Sequence, residues 1–214
     1  MSKTLNRIEK TYSAVAEVYA EAFFDEHRKK PMDREMLERF VREMGDRQPV
    51  WDFGCGPGQT AKFLKDAGQE ISGLDLSEEL LDQARRLYPD IPFQKGNLLD
   101  LDFENASIAG VVAFYAIVHF TRDQVEKAFQ EVFRVLKPNG ILLFTFHVGG
   151  ETLHIDTFLG REVDIDFMLF PAAFISQSLK TAGFTLVEIV EREPYPDVEY
   201  PSRRAYVFAR KPSP

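Results

Sequence analysis

Apolar positions along this chain fall into two alternating rhythms, short continuous runs and longer stripes at three- and four-residue spacing, and the alternation predicts the order of elements. Residues 4–24 place Ile8, Tyr12, Val15, Tyr19 and Phe23 on one stripe of an amphipathic helix. Pro31 and Gly45 bracket a second helix, in which Met36, Leu37, Phe40, Val41 and Met44 recur at helical spacing and should cover a sheet. Val50–Phe53 reads as a buried strand followed by a helix over roughly 59–67, and Glu70–Asp75 as a second strand. Ser77-Glu78-Glu79-Leu80 opens an N-capped helix running to about Tyr88. Pro92–Lys95 is a short third strand, and Ile108–Phe114 is a fourth whose unbroken apolar character suits a strand buried on both faces. Thr121–Leu136 turns Val125, Phe129, Val132 and Val135 inward as a helix, and Ile141–Phe146 forms the fifth strand.

Regular strand–helix alternation argues for a parallel sheet with right-handed crossovers. The tail breaks that rhythm. A helix over 171–182 leads to a strand over 184–191, and after a loop holding Pro194, Pro196 and Pro201 comes a last strand over 204–210. Two strands joined without a helix are antiparallel neighbours or lie apart. The stretch 148–170 is polar, acidic and long, and is expected to be a functional loop forming one wall of a substrate site. With 214 residues, a single domain is expected.

The chemistry starts at Asp52-Phe53-Gly54-Cys55-Gly56-Pro57-Gly58. Glycine permits positive φ and lets a ligand approach the main chain, and the helix that follows aims free N–H groups and its positive dipole end at the same turn. Asp75 ends the next strand 17 residues after Gly58, a distance suited to an acid that accepts hydrogen bonds from ribose hydroxyls. The glycine spacing is Gly-x-Gly-x-Gly, with Gln59 next, whereas a nicotinamide or flavin fingerprint needs Gly-x-Gly-x-x-Gly.

These residues resemble the class I S-adenosylmethionine-dependent methyltransferases. The glycine motif and Asp75 match that family's first two segments. Gly96-Asn97-Leu98 is similar to its adenine-contacting turn, Val132–Gly140 to its helix-to-strand corner, and Ala182-Gly183-Phe184 to its entry into strand six. The resemblance runs in order over about residues 45–210. It implies a Rossmann-like α/β fold: a doubly wound, mostly parallel seven-stranded sheet with an antiparallel last strand. It also implies an N-terminal helical lid over residues 1–45, packed on a methyltransferase domain of residues 46–214. The implied cofactor is S-adenosylmethionine, and the implied binding set is Tyr12, Tyr19, Asp52, Gly54, Cys55, Gly56, Asp75, Leu76, Asn97, Leu98 and Phe114. Tyr12 and Tyr19 share one helical face, so two readings stand: core packing, the usual fate of an aromatic stripe, or rings laid against a sulfonium.

Methyl transfer to a hydroxyl or protonated amine needs a proton acceptor. His119, just beyond the fourth strand, is the candidate, with an ordinary pKa near 6.5 suited to the task; a histidine that merely shapes the pocket is the alternative. Tyr115 is a weaker candidate. His147 and His154 follow the fifth strand, and Asp156, Asp164 and Asp166 offer contacts to a cationic or polyhydroxylated acceptor. Arg203 and Arg204 could clamp an acidic acceptor, although exposed arginines are commonly inert. The four histidines are scattered without metal-ligand spacing, and no metal requirement is expected.

Composition narrows the function classes. The formal charge of −8 disfavours a nucleic-acid partner, and Phe114-Tyr115-Ala116-Ile117 stands where nucleic-acid amino-methylating enzymes would carry Asn or Asp followed by Pro-Pro and an aromatic. Cys55 is the only cysteine, so an intramolecular disulfide is excluded, and it reads as a small turn filler. No apolar run reaches the roughly 18 residues of a membrane span and the first residues lack a signal core, so a cytoplasmic protein acting on a small molecule is expected. Competing readings are an NAD(P)-dependent oxidoreductase and a non-catalytic S-adenosylmethionine-binding protein.

Overall fold

The computed structural model of the chain describes residues 3–213. Three helices open it: α1 (Lys3–Phe23), α2 (Glu26–Lys29) and α3 (Pro31–Met44). Strand and helix then alternate as β1 (Val50–Phe53), α4 (Gln59–Asp66), β2 (Ile71–Asp75), α5 (Glu78–Leu87) and β3 (Phe93–Lys95). After a loop come β4 (Ile108–Phe114), α6 (Arg122–Val135) and β5 (Leu136–Val148), then the pair β6 (Thr152–Phe158) and β7 (Arg161–Met168). α7 (Ala172–Ala182), β8 (Thr185–Arg192) and β9 (Arg203–Arg210) complete the chain.

Seven strands form one sheet in the order β3-β2-β1-β4-β5-β9-β8. β1 to β5 are mutually parallel, while β9 runs antiparallel to both β5 and β8. The chain builds outward in one direction from β1 to β3 and in the other from β4, so the crevice beyond the carboxyl ends of β1 and β4 is the switch point where such sheets hold ligands.

Alternating side chains sort the core into two layers. From β4, Val111 and Ala113 join Phe144 and Phe146 of β5 under α6 and α7, while Ala109 and Val112 join Leu143, Tyr206 and Phe208 under α3. Every residue of Ile108–Ala113 is buried, which is why this strand reads as an unbroken apolar run. α6 starts at a capping box, with the Thr121 hydroxyl accepting from the Gln124 N–H and the Gln124 side chain accepting from the Thr121 N–H.

Two expectations change. The fifth strand begins at Leu136 rather than Ile141. The expected loop over 148–170 is instead a two-stranded antiparallel ribbon, β6 paired with β7, turning through Leu159-Gly160 with both residues at positive φ. That is the backbone of a type I′ hairpin, whose twist matches the flanking strands.

Candidate active site

Two main-chain bonds lock the turn after β1, since the Leu74 carbonyl accepts from both the Gly54 N–H (2.7 Å) and the Cys55 N–H (3.1 Å). Gly54, Gly56 and Gly58 all take positive φ, at 73°, 53° and 86°. They differ in surroundings. A Cβ at Gly54 would stand 2.6 Å from the Ala116 Cβ and one at Gly58 2.8 Å from the Phe93 ring, so these two are glycine because the protein itself leaves no room. A Cβ at Gly56 would meet only the Tyr19 ring, at 3.9 Å, and would otherwise project into open space.

Asp75 closes this turn. One carboxylate oxygen accepts from the Gly56 N–H at 2.8 Å and the other from the Ser77 N–H at 2.9 Å. Burial raises its pKa, opposed by these N–H groups. Asp52 is 1% exposed, and its Oδ2 has no hydrogen-bond partner. Burial, reinforced by Asp75, pushes its pKa up to about 8.

A cavity of about 340 Å³ opens over the carboxyl ends of β1 and β4 and gathers the whole expected cofactor-binding set together with His119. Asp52, Gly54, Cys55 and Gly56 form its floor with Asp75; Leu76, Asn97 and Leu98 wall one side, and Phe114 and His119 line the β4 end. Tyr12 and Tyr19 of α1 close the top, edge to face with ring centroids 5.6 Å apart. Cys55 is buried as a turn filler, its Sγ 2.8 Å from where a Gly73 Cβ would sit, and burial raises its thiol well above the ordinary range.

His119 is held at both nitrogens. Nδ1 lies 2.8 Å from the Asp166 carbonyl, and a carbonyl only accepts, so Nδ1 carries the proton and donates. Nε2 then accepts from the Tyr12 hydroxyl at 2.8 Å. Burial lowers the imidazole pKa to about 4, so the ring is neutral near pH 7 and a weaker base than an ordinary histidine. Beyond it, toward β5 and β9, the Tyr115 ring stacks on His147 at 5.0 Å, and Lys30, Glu199 and Arg204 enter the cavity wall. Tyr115 takes φ of 55°, a strained conformation for a residue with a Cβ, and its buried hydroxyl has no partner.

A methyltransferase domain family matches residues 50–140, the span from β1 through the helix-to-strand corner at β5. A probable S-adenosylmethionine-dependent methyltransferase of Mycolicibacterium smegmatis is 35% identical over 141 residues, covering 63% of this chain and 51% of the relative. Residues 50–140 of the chain are a methyltransferase domain. The chain spans about half the length of that relative (51%). Solved structures agree on this methyltransferase fold. A Methanosarcina mazei methyltransferase superposes with a TM-score of 0.74 at 16% identity, covering 84% of this chain and 98% of that one. A Burkholderia thailandensis 1,6-didemethyltoxoflavin-N1-methyltransferase, solved with that compound and S-adenosylhomocysteine, gives 0.74 at 18% identity, covering 97% of this chain and 88% of that one.

The cavity leaves out some of the expected acceptor contacts. Asp164 and Asp166 do not line it; they bind Arg7 of α1 at 2.5 and 3.1 Å, and Asp166 also meets His154 at 2.8 Å. Asp156 and His154 are exposed on the ribbon, and Arg203 is spent on Glu191 and Glu193 at the surface. Local strand geometry is the reason: the ribbon turns Phe158 and Phe167 to the cavity and its acids away. Those two rings, together with Glu26, Lys30 and Glu199, escape sequence reasoning. The alternation of Val163, Ile165 and Phe167 was the available signal for the ribbon. No local pattern marks the charged trio. Among the described residues no group of three or more His, Cys, Asp or Glu side chains is placed to hold a metal, and no helix is long and apolar enough to cross a membrane.

Proposed function

We propose that this chain binds S-adenosylmethionine in the cavity and transfers its methyl group to a small-molecule acceptor by in-line displacement. The observation that carries the proposal is the unmet chemistry of the cavity floor. A positive-φ turn leaves space at Gly56, and two buried acceptor atoms, Asp52 Oδ2 and Gln59 Oε1, have no partner. Unpaired acceptors beside the N-terminus of α4 suit a ligand that carries both positive groups and a carboxylate. Bound there, the cofactor supplies an activated methyl on a sulfonium, open to attack from the side opposite the sulfur.

The chain's own residues then bind and orient. Asp75, fixed by two N–H groups, offers its remaining lone pairs to ribose hydroxyls. Leu76 and Leu98 would hold the adenine, with Asn97 shaping the turn through its own bond to the Leu99 N–H. Tyr12 and Tyr19 would cover the sulfonium as the inner face of a lid formed by α1, tied down by Arg7 to β7 and by Ser13 to Glu79 of α5 at 2.5 Å. His119, neutral and engaged by Tyr12, acts chiefly by holding that hydroxyl and walling the acceptor space, with proton removal left to the acceptor's own acidity or to solvent. Orientation alone can supply up to roughly 7–11 kcal/mol of the barrier reduction.

A cavity enclosed by α1 and the ribbon favours a small acceptor over a macromolecular one, as does the net charge of −8. The Burkholderia thailandensis methyltransferase holds 1,6-didemethyltoxoflavin, in keeping with such an acceptor. Incubation of the protein with methyl-labelled cofactor and a small-molecule extract tests the proposal: label should move into a low-molecular-weight product. Tight S-adenosylhomocysteine binding with no transfer to any fraction would reduce the function to cofactor binding.

A further inference from the structure

Free hydrogen-bonding valences are distributed unevenly along the cavity. At the β1–β2 end they are acceptors, as described. At the β5–β9 end they are donors. Glu199 lines this end but is largely engaged: Oε2 takes the Arg192 Nη1 at 2.6 Å and the Tyr195 N–H at 2.9 Å, while Oε1 takes the Arg192 Nη2 at 2.9 Å. Glu26 is likewise engaged, by Gln59 Nε2 and Lys30 Nζ, each at 2.6 Å. Arg192 alone thus satisfies the Glu199 carboxylate bidentately, and Arg204 is left with a share of it.

Arg204 is 4% exposed and sits in the cavity wall. Its Nη1 donates to two uncharged carbonyls, of Tyr200 at 3.0 Å and Ser202 at 2.6 Å, and its Nε lies 3.1 Å from the already shared Glu199 Oε1. Among the described residues its Nη2 makes no hydrogen bond, and neither does its buried Nε, whose approach to Glu199 is an ion pair without hydrogen-bond geometry. The Tyr115 hydroxyl beside this cluster is also buried without a partner, and Lys30 Nζ stands 5.8 Å from the Tyr115 ring. A buried guanidinium with an unused N–H edge and a buried hydroxyl with none of its bonds made are costly unless something completes them.

We propose that the methyl acceptor carries a carboxylate, seated against Arg204 Nη2 and the Tyr115 hydroxyl at the β5–β9 end of the cavity. Two donors match two carboxylate oxygens, with Lys30 adding long-range attraction; a phosphate would leave an oxygen unserved. The opposite wall, built from Phe158, Phe167 and Tyr12, favours an apolar, aromatic body on the same molecule. The inference rests on the cavity being the methyl-transfer site, and it makes Arg204 and Tyr115 determinants of specificity.

Matched acids and amides test it. Benzoate with benzamide, and 3-phenylpropionate with 3-phenylpropionamide, are titrated by ligand-observed NMR against the protein with and without S-adenosylhomocysteine. The acids should bind roughly tenfold or more tighter than the amides, and the preference should shrink to about threefold or less in Tyr115→Phe and in Arg204→Gln. Tyr115→Phe removes a hydroxyl that has no partner and leaves folding unchanged, which covers the case in which Arg204→Gln loosens the loop it braces. S-adenosylhomocysteine affinity should be the same in all three proteins. Equal binding of acids and amides, no binding of either acid, or an acid preference that survives both substitutions would overturn the subsite. Failure of S-adenosylhomocysteine to bind would instead defeat the methyltransferase reading, and the acid–amide contrast in the nucleoside-free protein would still judge the subsite.

Discussion

Alanine at Gly54 and alanine at Gly56 should damage this protein in different ways, although the residues are two apart in one turn. Each substitution puts a Cβ on a backbone at positive φ, 73° and 53°, which costs about 1–2 kcal/mol. At Gly54 the new atom also lands 2.6 Å from the Ala116 Cβ and 3.3 Å from its Cα, on a segment that cannot swing aside like a long side chain. Overpacking of that kind adds roughly 1–3 kcal/mol, so Gly54→Ala should lose about 2–5 kcal/mol of stability. At Gly56 the nearest atom is the Tyr19 ring at 3.9 Å, an ordinary contact, so only the backbone cost applies. Its new methyl enters the cradle proposed for the cofactor, and S-adenosylhomocysteine affinity should fall at least about tenfold, or 1.4 kcal/mol. Urea denaturation reads the first quantity and titration calorimetry the second. If Gly56→Ala folds and binds S-adenosylhomocysteine as tightly as the parent, the main chain of this turn does not approach the cofactor. If both variants lose equal stability, the steric distinction between them is mistaken.

Asp75→Ala should weaken S-adenosylhomocysteine binding by about 1–3 kcal/mol by calorimetry, through lost ribose bonds and a turn no longer tied at the Gly56 N–H; unchanged affinity in a folded variant would refute the ribose role. Asp52, with its pKa pushed up to about 8, is mostly protonated near pH 7 in the free protein, and a cationic ligand favours its ionised form. S-adenosylmethionine binding at pH 7 should therefore release up to about one proton and tighten as pH rises toward 8, measured by calorimetry in buffers of differing ionisation enthalpy; Asp52→Asn should abolish the release. The same carboxyl ionises near pH 4 when unfolded, so it subtracts from the free protein's stability as pH rises from about 4 through about 8. Arg7→Ala cuts bonds to exposed Asp164 and half-buried Asp166, so stability should change by under about 1 kcal/mol while stopped-flow S-adenosylhomocysteine release speeds up severalfold. Unaltered release would mean that α1 is no lid.

What could be read ahead of the structure was whatever depends on near neighbours along the chain. β4 falls within the apolar run that begins at Ile108, α6 starts where Thr121 and Gln124 can cap it, and the interval from Gly58 to Asp75 holds one helix and one strand. The β6–β7 ribbon was hidden because Leu159-Gly160 is not an Asn-Gly or Asp-Gly turn, and because acids on its outer face made the segment look like a solvated loop. His119 was placed correctly at the β4 end, but its pKa near 4 depends on burial beneath α1 and β7, which no local pattern expresses. The buried ions were least legible. Asp33 is fully buried on a helix face that reads as polar, and it meets Arg192 at 3.3 Å across 159 positions of sequence, with Glu199 and Arg204 closing the same cluster. Single charged residues read as surface until their partners are brought together.

The most direct test of the account is a crystal structure of the protein grown with S-adenosylhomocysteine. The ribose hydroxyls should lie within hydrogen-bonding distance of the Asp75 carboxylate, the nucleoside on the main chain at Gly56, and the amino-acid end toward Asp52 and Gln59. A nucleoside bound away from this cavity, or one in it that leaves Asp75 and the glycine turn untouched, would contradict the account.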